Sequence, residues 1–244
     1  MISFPSSEVE AGSISCWSFV FAVRCKSSFT FIPALALVLC VVGSSTLAAE
    51  EVYRAGEHYE VINPAVKVGD KDEVVVTEFF WYGCGHCFSF EPMLSAWEKQ
   101  LPEGARLEGA PAIWRKGSME VHAKAYFIAK ALEMKDKIHL KLFEAMHLER
   151  KPLANQAQLR AFFVKHGADA EAFDTAYDSF GVNSQVRRAE SQARSARITG
   201  TPSMMVAGKY RIDTRKAGGQ SGMLKVAEYL VKKELEAIEA GAES

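Results

Sequence analysis

The sequence predicts a mixed α/β fold with a block of helices inserted into it. Three observations point there. A β-branched and aromatic run over residues 73–80 leads directly into a helical segment, strand character then disappears between residues 114 and 189, and it returns in two short runs before a closing amphipathic helix. At 244 residues and 48% hydrophobic, the chain can bury one full core and carry a sizeable insertion.

Residues 51–72 are polar and turn-rich, with a short edge strand expected around Tyr59 to Ile62 and stopped by Asn63-Pro64. The run Glu-Val-Val-Val-Thr-Glu-Phe-Phe at 73–80 shows no alternation, which is the pattern of a central strand covered on both faces. Gly83 marks a turn, and residues 84–100 form a helix that Pro92 should kink. A weaker strand pattern follows at 106–113. Val121, Ala125, Ile128 and Leu132 recur at helical spacing, as do Ile138, Leu142 and Met146. Residues 156–166 stack Leu159, Phe162 and Phe163 on one face and stop before Gly167. Asp169 caps the next segment, which carries Phe173, Tyr177 and Phe180 and is expected to end at Gly181; residues 183–198 make a further helix. Strands at 203–206 and 210–212 are joined by Ala207-Gly208-Lys209, and residues 221–240 close the chain as a helix. The expected division is a leader over 1–49, a sheet-bearing domain from 50–113 and 190–244, and a helical insertion domain over 114–189.

Charge excludes some partners. With 29 Lys and Arg against 30 Asp and Glu the net charge is −1, so no basic field draws the chain to nucleic acid or an anionic membrane. The first fifty residues have the layout of a secretory signal: Arg24 and Lys26, an almost uncharged stretch over 29–42, then the small residues Gly43, Ser44, Ser45, Thr46, Leu47, Ala48 and Ala49 before Glu50. The apolar stretch is shorter than the roughly 20 residues a membrane anchor needs and contains Pro33, so cleavage and export are expected. The segment before Arg24 is long and carries Glu8 and Glu10, unusual for a signal, and one reading places the true translation start further in, for example at Val23. N-terminal sequencing of unprocessed precursor would decide this: a fragment containing Ile2 and Ser3 would refute the later start.

Export changes the cysteine count. Cys16, Cys25 and Cys40 leave with the leader, and only Cys84 and Cys87 remain. Two cysteines three positions apart, at the point where a strand runs into a helix, can close a small disulfide ring. Cys84 then lies at the unpaired amide groups and positive end of the helix dipole, which favours thiolate over thiol. A stabilised thiolate is both a reactive nucleophile and a good leaving group, and a dithiol so stabilised oxidises other proteins. By this geometry Cys84 is the exposed attacker and Cys87 the resolving thiol, with His86 a second source of positive potential. Two other readings stay open. A purely structural bridge over so short a loop adds little stability. Half of a zinc site lacks its second half, since no other cysteine pair exists and the six histidines form no close pair.

The run Glu78-Phe79-Phe80-Trp81-Tyr82-Gly83-Cys84-Gly85-His86-Cys87-Phe88-Ser89-Phe90-Glu91-Pro92 closely resembles the active-site segment of the DsbA family of periplasmic thiol:disulfide oxidoreductases. Thr199-Gly200-Thr201-Pro202-Ser203-Met204-Met205-Val206-Ala207-Gly208-Lys209-Tyr210 is similar to that family's cis-proline loop and following hairpin, and the resemblance spans essentially the whole mature chain. It implies a thioredoxin-like fold with an inserted all-helical domain. It also implies roles: Cys84 as nucleophile, His86 as thiolate stabiliser, Cys87 as resolving cysteine, and Glu78 and Glu91 as acids that move the proton of Cys87. Pro202 would be cis and pack against the Cys84–Cys87 disulfide, with Gly200 and Thr201 beside it offering backbone groups to an extended substrate. The implied substrates are reduced, unfolded exported proteins. The implied partner is a DsbB-type inner-membrane quinone oxidoreductase, and a monomer in the periplasm needing no cofactor or metal is expected. One position departs from the pattern. Gly85 stands where family members commonly have proline, and the resulting C-G-H-C resembles protein disulfide isomerase, so a less strongly oxidising pair is expected. An isomerase or reductase using the same pair, or a non-catalytic holdase-type binding module, remain as alternatives.

Overall fold

The computed structural model describes residues 52–69 and 72–242. The expected leader, with Cys16, Cys25, Cys40 and the suggested start at Val23, lies outside the described residues. Twelve elements follow in order: β1 (Glu60–Val61), β2 (Val74–Phe80), α1 (Gly85–Glu98), β3 (Ala105–Pro111), α2 (Ser118–Ala131), α3 (Lys135–His147), α4 (Gln156–Lys165), α5 (Ala170–Asp178), α6 (Phe180–Ser195), β4 (Ser203–Val206), β5 (Tyr210–Asp213) and α7 (Gln220–Ala242).

The strands form one sheet in the order β1-β5-β4-β2-β3. β2 and β3 run parallel through the α1 crossover, whereas β4 pairs antiparallel with both β2 and β5. All seven residues of β2 are buried, which is why its sequence is apolar without alternation: both faces of the sheet are covered. Val74 and Val76 join Met204, Val206 and Ile212 in a core filled by Phe90, Leu94 and Trp97 of α1 and by Met223, Val226, Leu230 and Val231 of α7. Phe79 and Met205 belong to a second core, built from α2 to α6 and containing Cys87 and Tyr82. The helical block follows β3 and packs back on it through α2 and α6. This is a thioredoxin-like α/β fold with a helical insertion.

One expectation is corrected. Gly181 does not end a helix: α5 stops at Asp178, and α6 begins at Phe180 and runs through Gly181. The reason is Ser179, whose extended backbone breaks the helix and whose hydroxyl accepts from the Val182 N–H at 3.1 Å, capping α6. Phe180 consequently points outward and is strongly exposed rather than continuing the Phe173 stripe. Pro92 lies inside α1, which is one helix over its whole length. Among the described residues no helix is long and apolar enough to cross a membrane.

Candidate active site

The strand-to-helix turn places the cysteines. Residues Val74–Phe80 run straight to the turn, and Cys84 caps α1 with an extended backbone (φ −95°, ψ 113°), its N–H donating to the Trp81 carbonyl at 2.9 Å. Gly83 is required here, because a Cβ would lie 2.3 Å from the Trp81 ring. Both cysteines are free thiols; Cys84 is half-buried and Cys87, one turn deeper, has no exposed surface. From the far end of the sequence, Thr201 comes beside them. The Cys84 thiol donates to the Thr201 carbonyl at 3.4 Å, and the Thr201-Pro202 peptide is cis. Gly200 is exposed next to it, and its carbonyl accepts from the Ser203 hydroxyl at 2.8 Å.

The two thiols are displaced in opposite directions. Cys84 is pulled down to about 5, first by the hydrogen bond from the Cys87 thiol. Burial opposes this, and the Thr201 hydroxyl and the backbone N–H groups of Cys87 and His86 reinforce it. The capping N–H of Cys87 reaches the Cys84 sulfur at 3.4 Å. Cys87 is pushed far up by its burial, by its hydrogen bond to Cys84, and by the negative charges of Glu78 and Cys84. The His86 ring is exposed on the surface beside the pair, and its backbone N–H helps to hold Cys84 down.

Both flanking acids are buried, and the charge of Glu78 acts on Cys87. Glu78 is 3% exposed with Oε1 unpartnered, and burial, then Glu91, then Cys84 hold its carboxyl well above the usual range. Glu91 is 8% exposed and meets His139 Nε2 at 3.2 Å. His139 Nδ1 lies 2.6 Å from the Tyr82 hydroxyl. One tautomer satisfies both contacts: Tyr82 donates to Nδ1 and Nε2–H donates to Glu91. Glu78, Glu91 and His139 line a cavity of about 660 Å³ between α1, β3 and α3.

The chain is similar to known proteins. The model of the DSBA-like thioredoxin domain matches residues 99–231. A thiol:disulfide interchange protein DsbA from Azotobacter vinelandii is 38% identical over 181 residues, 74% of this chain and 84% of that protein. The chain belongs to the DsbA family. DsbA from Pseudomonas aeruginosa PAO1 is 35% identical over 201 residues, 82% of this chain and 95% of its own length. The crystal structure of P. aeruginosa DsbA superposes with a TM-score of 0.72, covering 79% of this chain and 97% of that one at 35% identity. The DsbA structure from Xylella fastidiosa gives 0.70, covering 75% and 97% at 27% identity.

Around the DsbA-type pair, the structure adds residues that the sequence did not single out. Trp81 Nε1 donates to His122 Nδ1 at 3.0 Å, so His122 carries its proton on Nε2 and donates to the Pro152 carbonyl at 2.9 Å. Burial keeps His122 below the usual histidine range, in keeping with that neutral ring. His147 Nε2 donates to the Tyr82 carbonyl at 2.8 Å, and its ring stacks on Phe88. Gln220 Nε2 donates to the His86 carbonyl at 2.6 Å. No signal in the sequence pointed to these contacts: His122, His139 and His147 lie within apolar helical patterns, and Gln220 is 134 positions from His86.

Proposed function

We propose that this DsbA-family chain is an exported thiol:disulfide oxidase that donates a Cys84–Cys87 disulfide to reduced, unfolded proteins. The observation that carries this reading is the opposite displacement of the two thiols, one half-exposed and pulled down to about 5, the other buried and pushed up. A client thiolate attacks the Cys84 sulfur; the Cys84–Cys87 bond breaks and its electron pair leaves on the Cys87 sulfur, which takes a proton. A second client thiolate then attacks the client sulfur of the mixed disulfide, and Cys84 departs as a stabilised thiolate. The client loses two electrons and the pair gains them.

Glu78 and Glu91 are assigned the proton traffic of Cys87, a role supported by their burial, by the action of Glu78 on Cys87 and of Glu91 on Glu78, and by the unpartnered oxygen of Glu78. His86 stabilises the Cys84 thiolate from the open surface, through its N–H and, when protonated, its ring. Gly200, Thr201 and the cis Pro202 form the edge on which an extended client strand is held, supported by their place beside Cys84. The site is that of a monomer acting in the periplasm, reoxidised by a quinone-linked DsbB-type membrane partner. The curated relatives are named thiol:disulfide interchange proteins, and a mature chain with a single cysteine pair needs an outside oxidant after each turnover.

The isomerase reading is favoured by one feature, the C-G-H-C tetrad, and differs in needing the pair reduced in cells. Trapping with Cys87→Ala separates these outcomes. Mixed disulfides through Cys84 to many exported proteins, together with a parent chain that is oxidised in cells, support the oxidase. A parent chain found mainly reduced supports the isomerase, and no adducts at all would refute thiol exchange at Cys84.

A further inference from the structure

The Cys84 sulfur receives a hydrogen bond from the Cys87 N–H, and that N–H belongs to the peptide group whose carbonyl is His86. The same carbonyl accepts from the side-chain amide of Gln220 at 2.6 Å. A carbonyl has two acceptor sites, so this contact adds to its place in α1 rather than replacing it. A donor on the oxygen of a peptide group draws electron density from its nitrogen and makes its N–H a better donor, as in any chain of polarised hydrogen bonds. Gln220, the His86–Cys87 peptide and the Cys84 sulfur therefore form one continuous line.

The surrounding backbone is shaped to bring Gln220 there. Gly218 and Gly219 precede it with φ of +74° and +113°, conformations open to glycine, and fold the chain back so that α7 begins at Gln220. Gly219 N–H is held by the Thr214 carbonyl at 2.8 Å, and the Thr214 hydroxyl donates to the Pro202 carbonyl at 3.3 Å. The segment 214–220 thus touches both halves of the site, the cis-proline loop at one end and the dipeptide between the cysteines at the other. That dipeptide begins with Gly85, which is exposed and has open space where a side chain would be. Nothing in its own chemistry restrains the turn as a proline would.

We propose that Gln220 is a positioning residue for the thiol chemistry: its amide fixes and polarises the His86–Cys87 peptide so that the Cys87 N–H supports the Cys84 thiolate, taking over restraint that Gly85 does not supply. The inference rests on Cys84 being the reacting thiol, and the experiment tests that separately.

The test is a thiolate titration of the reduced mature chain, followed by ultraviolet absorbance, with the equilibrium against glutathione at neutral pH as a second readout. Gln220→Met keeps the length and removes the donor; Gln220→Glu places an acceptor against the carbonyl. Both should raise the Cys84 midpoint by roughly half a unit to one unit, and make the protein a roughly three- to ten-fold weaker oxidant against glutathione. Gln220→Asn, whose amide falls one methylene short, should do the same and serves if the others fail to fold. Midpoints within about 0.2 unit of the parent, whether or not the unfolding temperature falls, would make Gln220 a structural latch and overturn the proposal. Iodoacetamide labelling of the parent chain at mildly acidic pH tests the underlying reading: label on Cys84 upholds it, whereas label on Cys87 removes both. Failure of the Gln220 proposal alone leaves the label on Cys84 and the midpoint unmoved.

Discussion

Glu78 stands in the middle of a fully buried strand with one carboxyl oxygen unpartnered, and its ordinary value near 4.5 is raised by that burial and by Glu91. A carboxyl held protonated in the folded state costs stability as pH rises above its unfolded value, because the unfolded chain ionises first. Glu78→Leu should therefore raise stability by about 1–3 kcal/mol at neutral pH, with a gain that shrinks on acidification toward 4.5, measured by denaturant unfolding. The same variant should slow turnover of a reduced peptide, since it removes the proton carrier proposed for Cys87. A destabilised Glu78→Leu would refute this account of the residue. Glu78 was legible in the sequence because an acid inside an apolar strand run stands out. His139 was not, since a histidine beside Ile138 in an amphipathic helix has no mark until the fold sets it between Glu91 and Tyr82.

Secondary elements were legible where local chemistry and tertiary packing agree. β2 is such a case, and so is the β4–β5 hairpin, where Gly208 has φ of +68° and a Cβ would fall 1.8 Å from the Val66 carbonyl oxygen. Gly208→Ala should cost about 2 kcal/mol or more, read as a lowered urea midpoint with an unchanged slope, because strain and a backbone collision add. The junction of α5 and α6 was misread for a physical reason: Gly181 carries a stop signal, but Ser179 supplies the cap two positions earlier and the glycine is absorbed into the new helix. Ser179→Ala should cost about 1 kcal/mol by the same measurement, and no loss would mean the two helices are separated by packing alone. Contacts between distant elements, such as Gln220 to His86 or Trp81 to His122, leave no periodic trace, which is why the cysteine pair stands out in the sequence and the groups around it do not.

Across the whole molecule, the redox state and stability are linked through Cys84. In the dithiol form its thiol titrates near 5 when folded and near 9 when unfolded, so the folded reduced protein gains stability as pH rises between these values and loses it as pH falls toward 5. Cys87 is pushed upward and stays protonated across that window in both states, and the disulfide form has neither thiol. The unfolding temperature of the reduced form relative to the oxidised form should fall steadily from pH 8 to pH 5, followed by calorimetry; a pH-independent difference would show that Cys84 is not the linked group. The split construction of the site has a further effect on timing. Cys84 and Thr201 are separated by 117 positions, and Gln220 comes later still. A chain made from its N-terminus carries the cysteine pair and its local donors long before Thr201, the one distant group that depresses Cys84, arrives. Until β4 has docked and set Thr201 beside Cys84, the pair has only the support of its own helix turn, so its activation is completed late in the chain's folding.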